Sequence, residues 1–381
     1  MKIGFLLGML DDDIDALKKG DDGSYFLCDL YRQYSSLGHD VVVITMHRNI
    51  KKDFRTVYNK HLVVHGLAPS KHGNISAFFM FSHEIKKIKH VLHRENVDVI
   101  HAHWCYEYAM AALLENSDRA VITLHDWPDV VCPLIGNFYW KQRQKLGNLV
   151  LKKAKVVTAV SYYTAEFYKN RFPNRKISII PNFIKETTQS DPKEKKDYLK
   201  IVSINNGFSR IKNVGILIKA FEIVREKMPD ARLSLLGSGY EEKGEAYQWA
   251  LENSDITNIS FEGLKTRTET LQILHKSDIL VHPSIEESFG MTLIEAMQQK
   301  VFVIGGKDSG AVPWVLGYGK YGSLVNVTKP EEIADAVMNA CSNYESIKSM
   351  VEDAFTYVNS TFTIDNVVNS YLKLYSDIIK N

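Results

Sequence analysis

Residues 282–300, HPSIEESFGMTLIEAMQQK, carry the reading of the whole chain. They continue the apolar run DILVHP (278–283), and past Gly290 the apolar residues Leu293, Ile294 and Met297 recur at helical spacing. A short apolar strand, a loop and a helical period make one βα unit. The same alternation recurs outward on both sides. Before it stand LKIVSI (199–204), RLSLLG (232–237) and NISFEG (258–263), with helical patterns over 213–227, 241–253 and 267–275. After it come VFVIGG (301–306) and helical patterns over 331–342, 345–358 and 364–379. An earlier series holds KIGFLL (2–7), DVVVIT (40–45), HLVVH (61–65), VDVIHA (97–102), AVITLH (120–125), KVVTAV (155–160) and KISIIP (176–181). Helical patterns over 24–37, 76–95, 105–116, 139–153 and 162–171 separate most of these runs. Between the two series lies TTQSDPKEKKD (187–197), polar, charged and broken by Pro192. The pattern predicts an α/β fold of two doubly wound domains in tandem, with ligands at the carboxyl ends of the strands and in the cleft between domains.

The chain has 381 residues, 45% hydrophobic and 24% charged, which excludes disorder and fibrous folds. A formal charge of +2 hides a division: 25 Lys and Arg against 18 Asp and Glu up to Phe183, then 22 against 27. A basic half facing an anionic partner and an unevenly charged, solvated surface both fit this division. Cys28, Cys105, Cys132 and Cys341 form no CxxC pair, which fits a reducing cytoplasm. The opening MKIGFLLGML runs into Asp11-Asp12-Asp13 without a cleavage site, and no run of 18 apolar residues exists to span a bilayer. Two basic amphiphilic segments, 83–94 and 138–153, suit peripheral contact with an anionic membrane, and equally suit packing against a sheet. The expected location is cytoplasmic, associated with the inner face of the membrane if that contact forms.

No GxGxxG follows a strand; the nearest approach, Gly237-Ser238-Gly239-Tyr240-Glu241-Glu242, lacks the third glycine and is crowded by acids. No GxxxxGK[ST] occurs either, so nicotinamide and P-loop chemistry are both disfavoured. In 282–300, Glu287 and Glu295 lie eight apart, one before the helix start and one a turn inside it. Between them Phe289 and Gly290 let the backbone approach a ligand, and the free N–H groups of Gly290, Met291 and Thr292 form an anion site suited to a diphosphate. A carboxylate on each side can accept hydrogen bonds from sugar hydroxyls without a metal. Each glutamate taken singly would read as a helix cap or a surface residue; the string as a whole does not.

This stretch resembles the E-x7-E segment of the retaining glycosyltransferases of family 4, which have the GT-B fold of two facing Rossmann-like domains. Other positions agree in order: Gly38-His39-Asp40-Val41, His101-Ala102-His103, Leu124-His125-Asp126, Ile180-Pro181-Asn182, Gly237-Ser238-Gly239, and Gly305 to Pro313. The resemblance implies a sugar moved from a nucleotide-diphosphate donor, a UDP- or GDP-sugar, to an acceptor hydroxyl on a sugar or lipid-linked saccharide, in polysaccharide, lipopolysaccharide or glycolipid assembly. It implies an acceptor-binding domain over 1–183, a linker over 184–198, a donor-binding domain over 199–360, and a helix over 361–381 packing back toward the first domain. Glu287 would bind donor-sugar hydroxyls, Glu295 the ribose, and the amides from Phe289 to Thr292 the diphosphate. Arg210 and Lys212 would face that diphosphate. In the family the arginine usually follows the glycine directly, where this chain has Phe208, so Lys212 is the firmer assignment.

By the same resemblance His125 would lie against the donor sugar, Gly23 near the phosphates, and the loop after Gly263, including Leu264, near the base. His101, His103 and His125 lack a fourth ligand at metal spacing, so neither a metal nor any other cofactor is expected. Asp126 reads as a cap for the next turn. The run Asp11 to Asp13 reads as a solvated or acceptor-facing loop, and no nucleic-acid partner is expected. The rival readings are a phosphorylase or epimerase on the same plan, and a non-catalytic sugar-nucleotide-binding subunit of an assembly complex.

Overall fold

A run such as Val41-Val42-Val43-Ile44, apolar at every position, can be buried along its length only where helices cover both faces of a parallel sheet. A computed structural model describes residues 1–8, 26–185 and 198–380 and contains two such sheets. The chain divides into two units, Met1–Pro181 with Ile364–Asn381, and Asn182–Thr363. Each is a largely parallel sheet with helices between most of its strands.

In the first unit the strands are β1 (Lys2–Leu6), β2 (Asp40–Met46), β3 (Phe54–Asn59), β4 (Leu62–Leu67), β5 (Val99–His103), β6 (Ala120–Leu124), β7 (Val156–Ala159) and β8 (Ser178–Ile179). Their order is β3-β4-β2-β1-β5-β6-β7-β8, parallel except for the β3–β4 pair. In the second, β9 (Lys200–Ile204), β10 (Arg232–Leu236), β11 (Ile259–Gly263), β12 (Ile279–His282), β13 (Phe302–Gly306) and β14 (Ser323–Val325) take the order β11-β10-β9-β12-β13-β14. Both sheets therefore reverse their winding at their first strand, β1 in one and β9 in the other.

Several elements differ from the sequence reading. The edge strand β3 and the short β14 were not anticipated: β3 alternates between half-buried and exposed residues and carries Arg55, so it lacks the apolar run of a central strand. The helical stretch 76–95 is two helices, Gly73–Phe78 and Ser82–Glu95, because Met80 and Phe81 take left-handed φ of 48° and 57°. An extra helix, Pro128–Ile135, contains Pro133, which from sequence marks a break. The unit boundary falls before Asn182, since Phe183 and Ile184 are buried and the Ile184 N–H donates to the Phe362 carbonyl at 2.9 Å. Most of the expected linker, 186–197, and the acidic loop 11–22 lie outside the described residues.

The last helix, Ile364–Lys380, closes the first unit by a buried polar network. The Tyr375 hydroxyl lies 2.6 Å from His101 Nδ1 and 3.4 Å from the Tyr34 hydroxyl. The other His101 nitrogen, Nε2, lies 2.6 Å from Thr123 Oγ1, which is also 3.1 Å from the Tyr371 hydroxyl. Burial, with His125 nearby, pushes the His101 pKa down to about 3, so the ring is neutral and each nitrogen meets a hydroxyl. Tyr375→Phe leaves His101 Nδ1 unpaired inside the unit and should lower unfolding free energy by about 1–3 kcal/mol. Urea denaturation checks this; a midpoint unchanged from wild type would show that the hydroxyl adds nothing.

Candidate active site

In the second unit the strand order reverses between β9 and β12, and open α/β sheets bind ligands beyond the carboxyl ends of strands at such a point. Two loops emerge there, Asn205–Asn213 after β9 and Pro283–Gly290 after β12. Buried polar groups lock their bases. Ser203 Oγ donates to the Val281 carbonyl at 2.8 Å, and Asn205 Nδ2 donates to Ser203 Oγ at 2.9 Å. Asn213 sits at a left-handed φ of 55°, so its amide can reach back to the carbonyls of Pro283 (3.2 Å) and Val327 (2.7 Å). The Ile285 N–H donates to the Ile211 carbonyl at 2.8 Å, joining one loop to the other.

This scaffold brings Lys212 to Glu287: Nζ donates to Oε2 at 3.4 Å. His282, the buried last residue of β12, places Nε2 3.3 Å from the same oxygen, with Nδ1 3.4 Å from Thr292 Oγ1. Burial alone would raise the Glu287 pKa; His282 and Lys212 outweigh it and hold the carboxyl down at about 2. Glu287 is thus a preformed anion. The Ala311 N–H donates to its backbone carbonyl at 2.8 Å, which fixes the loop. Gly290 follows at φ 92°, and a Cβ there would lie 2.7 Å from Leu293 Cδ1, so the turn requires glycine. The helix Met291–Gln298 then starts without a side-chain cap, leaving its first N–H groups for a ligand. The Phe289 side chain is buried against Trp314 and Phe362, so this residue offers a ligand its backbone alone.

Glu295 behaves oppositely. Burial raises its pKa, partly offset by Arg267. Arg210 and Leu264 are exposed, and Arg210 makes no ion pair among the described residues. Of the proposed cationic pair, then, only Lys212 is joined to the glutamate. His282 and Arg267 were missed in the sequence reading. His282 ends the buried strand that leads into the Glu287 loop, and only its contact with Glu287 marks it out.

In the first unit, His125 follows β6 and its Nε2 lies 2.8 Å from His103 Nδ1, beneath the Trp104 ring at a centroid distance of 4.5 Å. Burial pushes the His125 pKa down to about 3 and the His103 pKa down as well, so both rings are neutral. Asp126 does not cap the next helix: it accepts a hydrogen bond from the Tyr106 hydroxyl at 3.0 Å, and burial raises its pKa to about 6. Among the described residues no group of three or more His, Cys, Asp or Glu is arranged to hold a metal. Gly23 lies outside the described residues.

Residues 184–356 match the family model "Glycosyl transferases group 1", and residues 23–187 match "Glycosyltransferase Family 4". The chain is 27% identical to N-acetyl-alpha-D-glucosaminyl L-malate synthase of Bacillus anthracis, over 93% of each chain. It is 24% identical to the gpi3 subunit of phosphatidylinositol N-acetylglucosaminyltransferase of Schizosaccharomyces pombe, over 92% of this chain and 76% of that protein. Its fold matches that of HepE of Anabaena, solved with UDP and glucose, with a TM-score of 0.69, 17% identity and 99% of each chain covered.

The depressed Glu287 pKa adds stability that is complete above its ordinary 4.5 and is lost as pH falls toward about 2. His282→Ala removes one of the two groups holding it down, so in the variant the acid loss should still start near 4.5 but be smaller and be complete at a higher pH. Urea midpoints followed across the acid range check this; parallel curves for variant and wild type would separate His282 from Glu287.

Proposed function

Because this chain belongs to the family 4 glycosyltransferases, we propose that it is a retaining enzyme that moves N-acetylglucosamine from UDP to the hydroxyl of a sugar or lipid-linked saccharide. The observation carrying this reading is the ionised Glu287 held between Lys212 and His282, beside an uncapped helix start. The choice of N-acetylglucosamine is supported by the names of two relatives, and that of UDP by the ligand in HepE.

In this reading Lys212, Arg210 and the N–H groups of Gly290, Met291 and Thr292 hold the diphosphate, with the Phe289 backbone beside them. Glu287 accepts hydrogen bonds from hydroxyls of the transferred sugar and Glu295 from the ribose. Leu264 flanks the base, and the neutral His125 acts on the sugar. No second carboxylate is assigned as a nucleophile, so the exchange takes place on one face of the sugar. The bond from the anomeric carbon to the diphosphate oxygen breaks, and its electron pair leaves with UDP. The acceptor oxygen forms the new bond, and its proton passes to the departing phosphate oxygen. Cations fixed at that phosphate stabilise the charge that grows there.

A donor screen by thermal shift should give its largest rise in melting temperature with UDP-N-acetylglucosamine; an equal rise with a GDP-sugar would reject the choice of base. Lys212→Ala and Glu287→Ala should each reduce transfer by about 100-fold or more. Near-normal rates in either variant would overturn these roles. Binding without turnover on any acceptor would favour a non-catalytic subunit, and phosphate-dependent cleavage a phosphorylase.

A further inference from the structure

Large apolar side chains left in water gather in one part of the first unit. Phe78 and Phe79 are 71% and 60% exposed, and Ile75, Leu134, Ile135 and Phe138 are exposed with them. They sit on three neighbouring pieces of chain: the helix Gly73–Phe78, the end of the helix Pro128–Ile135, and the start of the helix Phe138–Lys153. These pieces are packed together. A methyl group on Gly73 would lie 3.4 Å from the Tyr139 ring, and Tyr139 meets Phe81 edge-on at a centroid distance of 5.2 Å. Gly136, at a φ of 72°, turns the chain tightly between Ile135 and Phe138. Ser76 and Ala77 take the inward positions of the first helix, so Ile75, Phe78 and Phe79 are left outward.

Along the described segments that carry these side chains, the unengaged charge has one sign. Lys71, Lys141 and Lys145 are exposed, and the sequence has no acid between Asp53 and Glu84 or between Asp129 and Glu166. The acids nearest in sequence are already engaged. Glu84 is buried and bonded to the Ser76 hydroxyl and the Ser70 N–H, and Glu107 pairs with Arg143 at 3.2 Å. Asp129 accepts from Gln144, Asn148 and Arg171. Exposed phenylalanines with lysines on the same segments, and no free carboxylate among the described residues of those segments, are complementary to a negatively charged lipid surface: the rings enter the acyl boundary and the lysines meet the headgroups.

We propose that Ile75, Phe78, Phe79, Leu134, Ile135 and Phe138 form a membrane-docking surface for anionic lipid. It differs from the surface expected from sequence. The helix Ser82–Glu95 spends Ile85, Ile88 and Leu92 on the core, and the later turns of Phe138–Lys153 spend Leu146, Val150 and Leu151. Neither segment keeps a continuous apolar face, and only Phe138 at the start of the second joins the patch. The proposal stands apart from the donor and acceptor assigned above, and its test uses neither.

The full chain is sedimented with vesicles of phosphatidylcholine alone and with phosphatidylglycerol in equal parts. Wild type should pellet with the anionic vesicles, and less so as salt rises. The paired variants Phe78→Ser with Phe79→Ser, and Lys141→Glu with Lys145→Glu, should each bind about tenfold more weakly while keeping the wild-type circular dichroism. Wild type remaining in the supernatant, or undiminished binding by the phenylalanine variant, would overturn the proposal. So would a dimer in sedimentation velocity that the same phenylalanine substitutions dissociate, because the patch would then serve a second copy of the chain.

Discussion

A parallel strand buried on both faces leaves the chain only one way back, over the sheet through a helix, and every such return begins at a carboxyl end. That constraint sets nearly everything else here. It gathers the loops after β9 and β12 at one edge of their sheet, where the strand order reverses. Residues as distant in sequence as Lys212 and Glu287 then lie within reach of one another. The loops need not be long, because the sheet has already aligned their ends. Ser203, Asn205 and Asn213 hold those ends with hydrogen bonds that water cannot replace.

What burial does to a titratable group depends on the charges beside it. Where no opposite charge is near, it keeps groups neutral, as with His101, His103 and His125 in the first unit. Where two nitrogen-bearing side chains converge on one carboxylate, it is overridden, and Glu287 stays charged. Glu295, with Arg267 as its counter-charge, stays on the raised side. Two glutamates eight residues apart are thus prepared differently.

The central strands were legible because a strand buried on both faces must be apolar at every position, and such runs can be read without a structure. Two edge strands, β3 and β14, were not. β3 pairs on one side and faces water with alternate residues, so Arg55 and Asn59 dilute its signal. The helix Pro128–Ile135 was hidden by Pro133, whose effect as a breaker depends on whether the lost hydrogen bond matters in so short a helix. His282 was passed over for a different reason: a histidine ending an apolar strand reads as core until its partner is known.

By itself, the sequence determined that there are two parallel α/β units and that Glu287, Gly290 and Glu295 surround a helix start, since these follow from local periodicity and spacing. The tertiary structure alone decided which cation meets which carboxylate, that the Phe289 ring turns into the core, and that Phe78 and Phe79 are left in water. The physical reason is one of range. Hydrophobic period and turn chemistry act over a few residues and are written along the chain. Ion pairing, burial and leftover surface depend on what the folded neighbours supply, and those neighbours are many residues away.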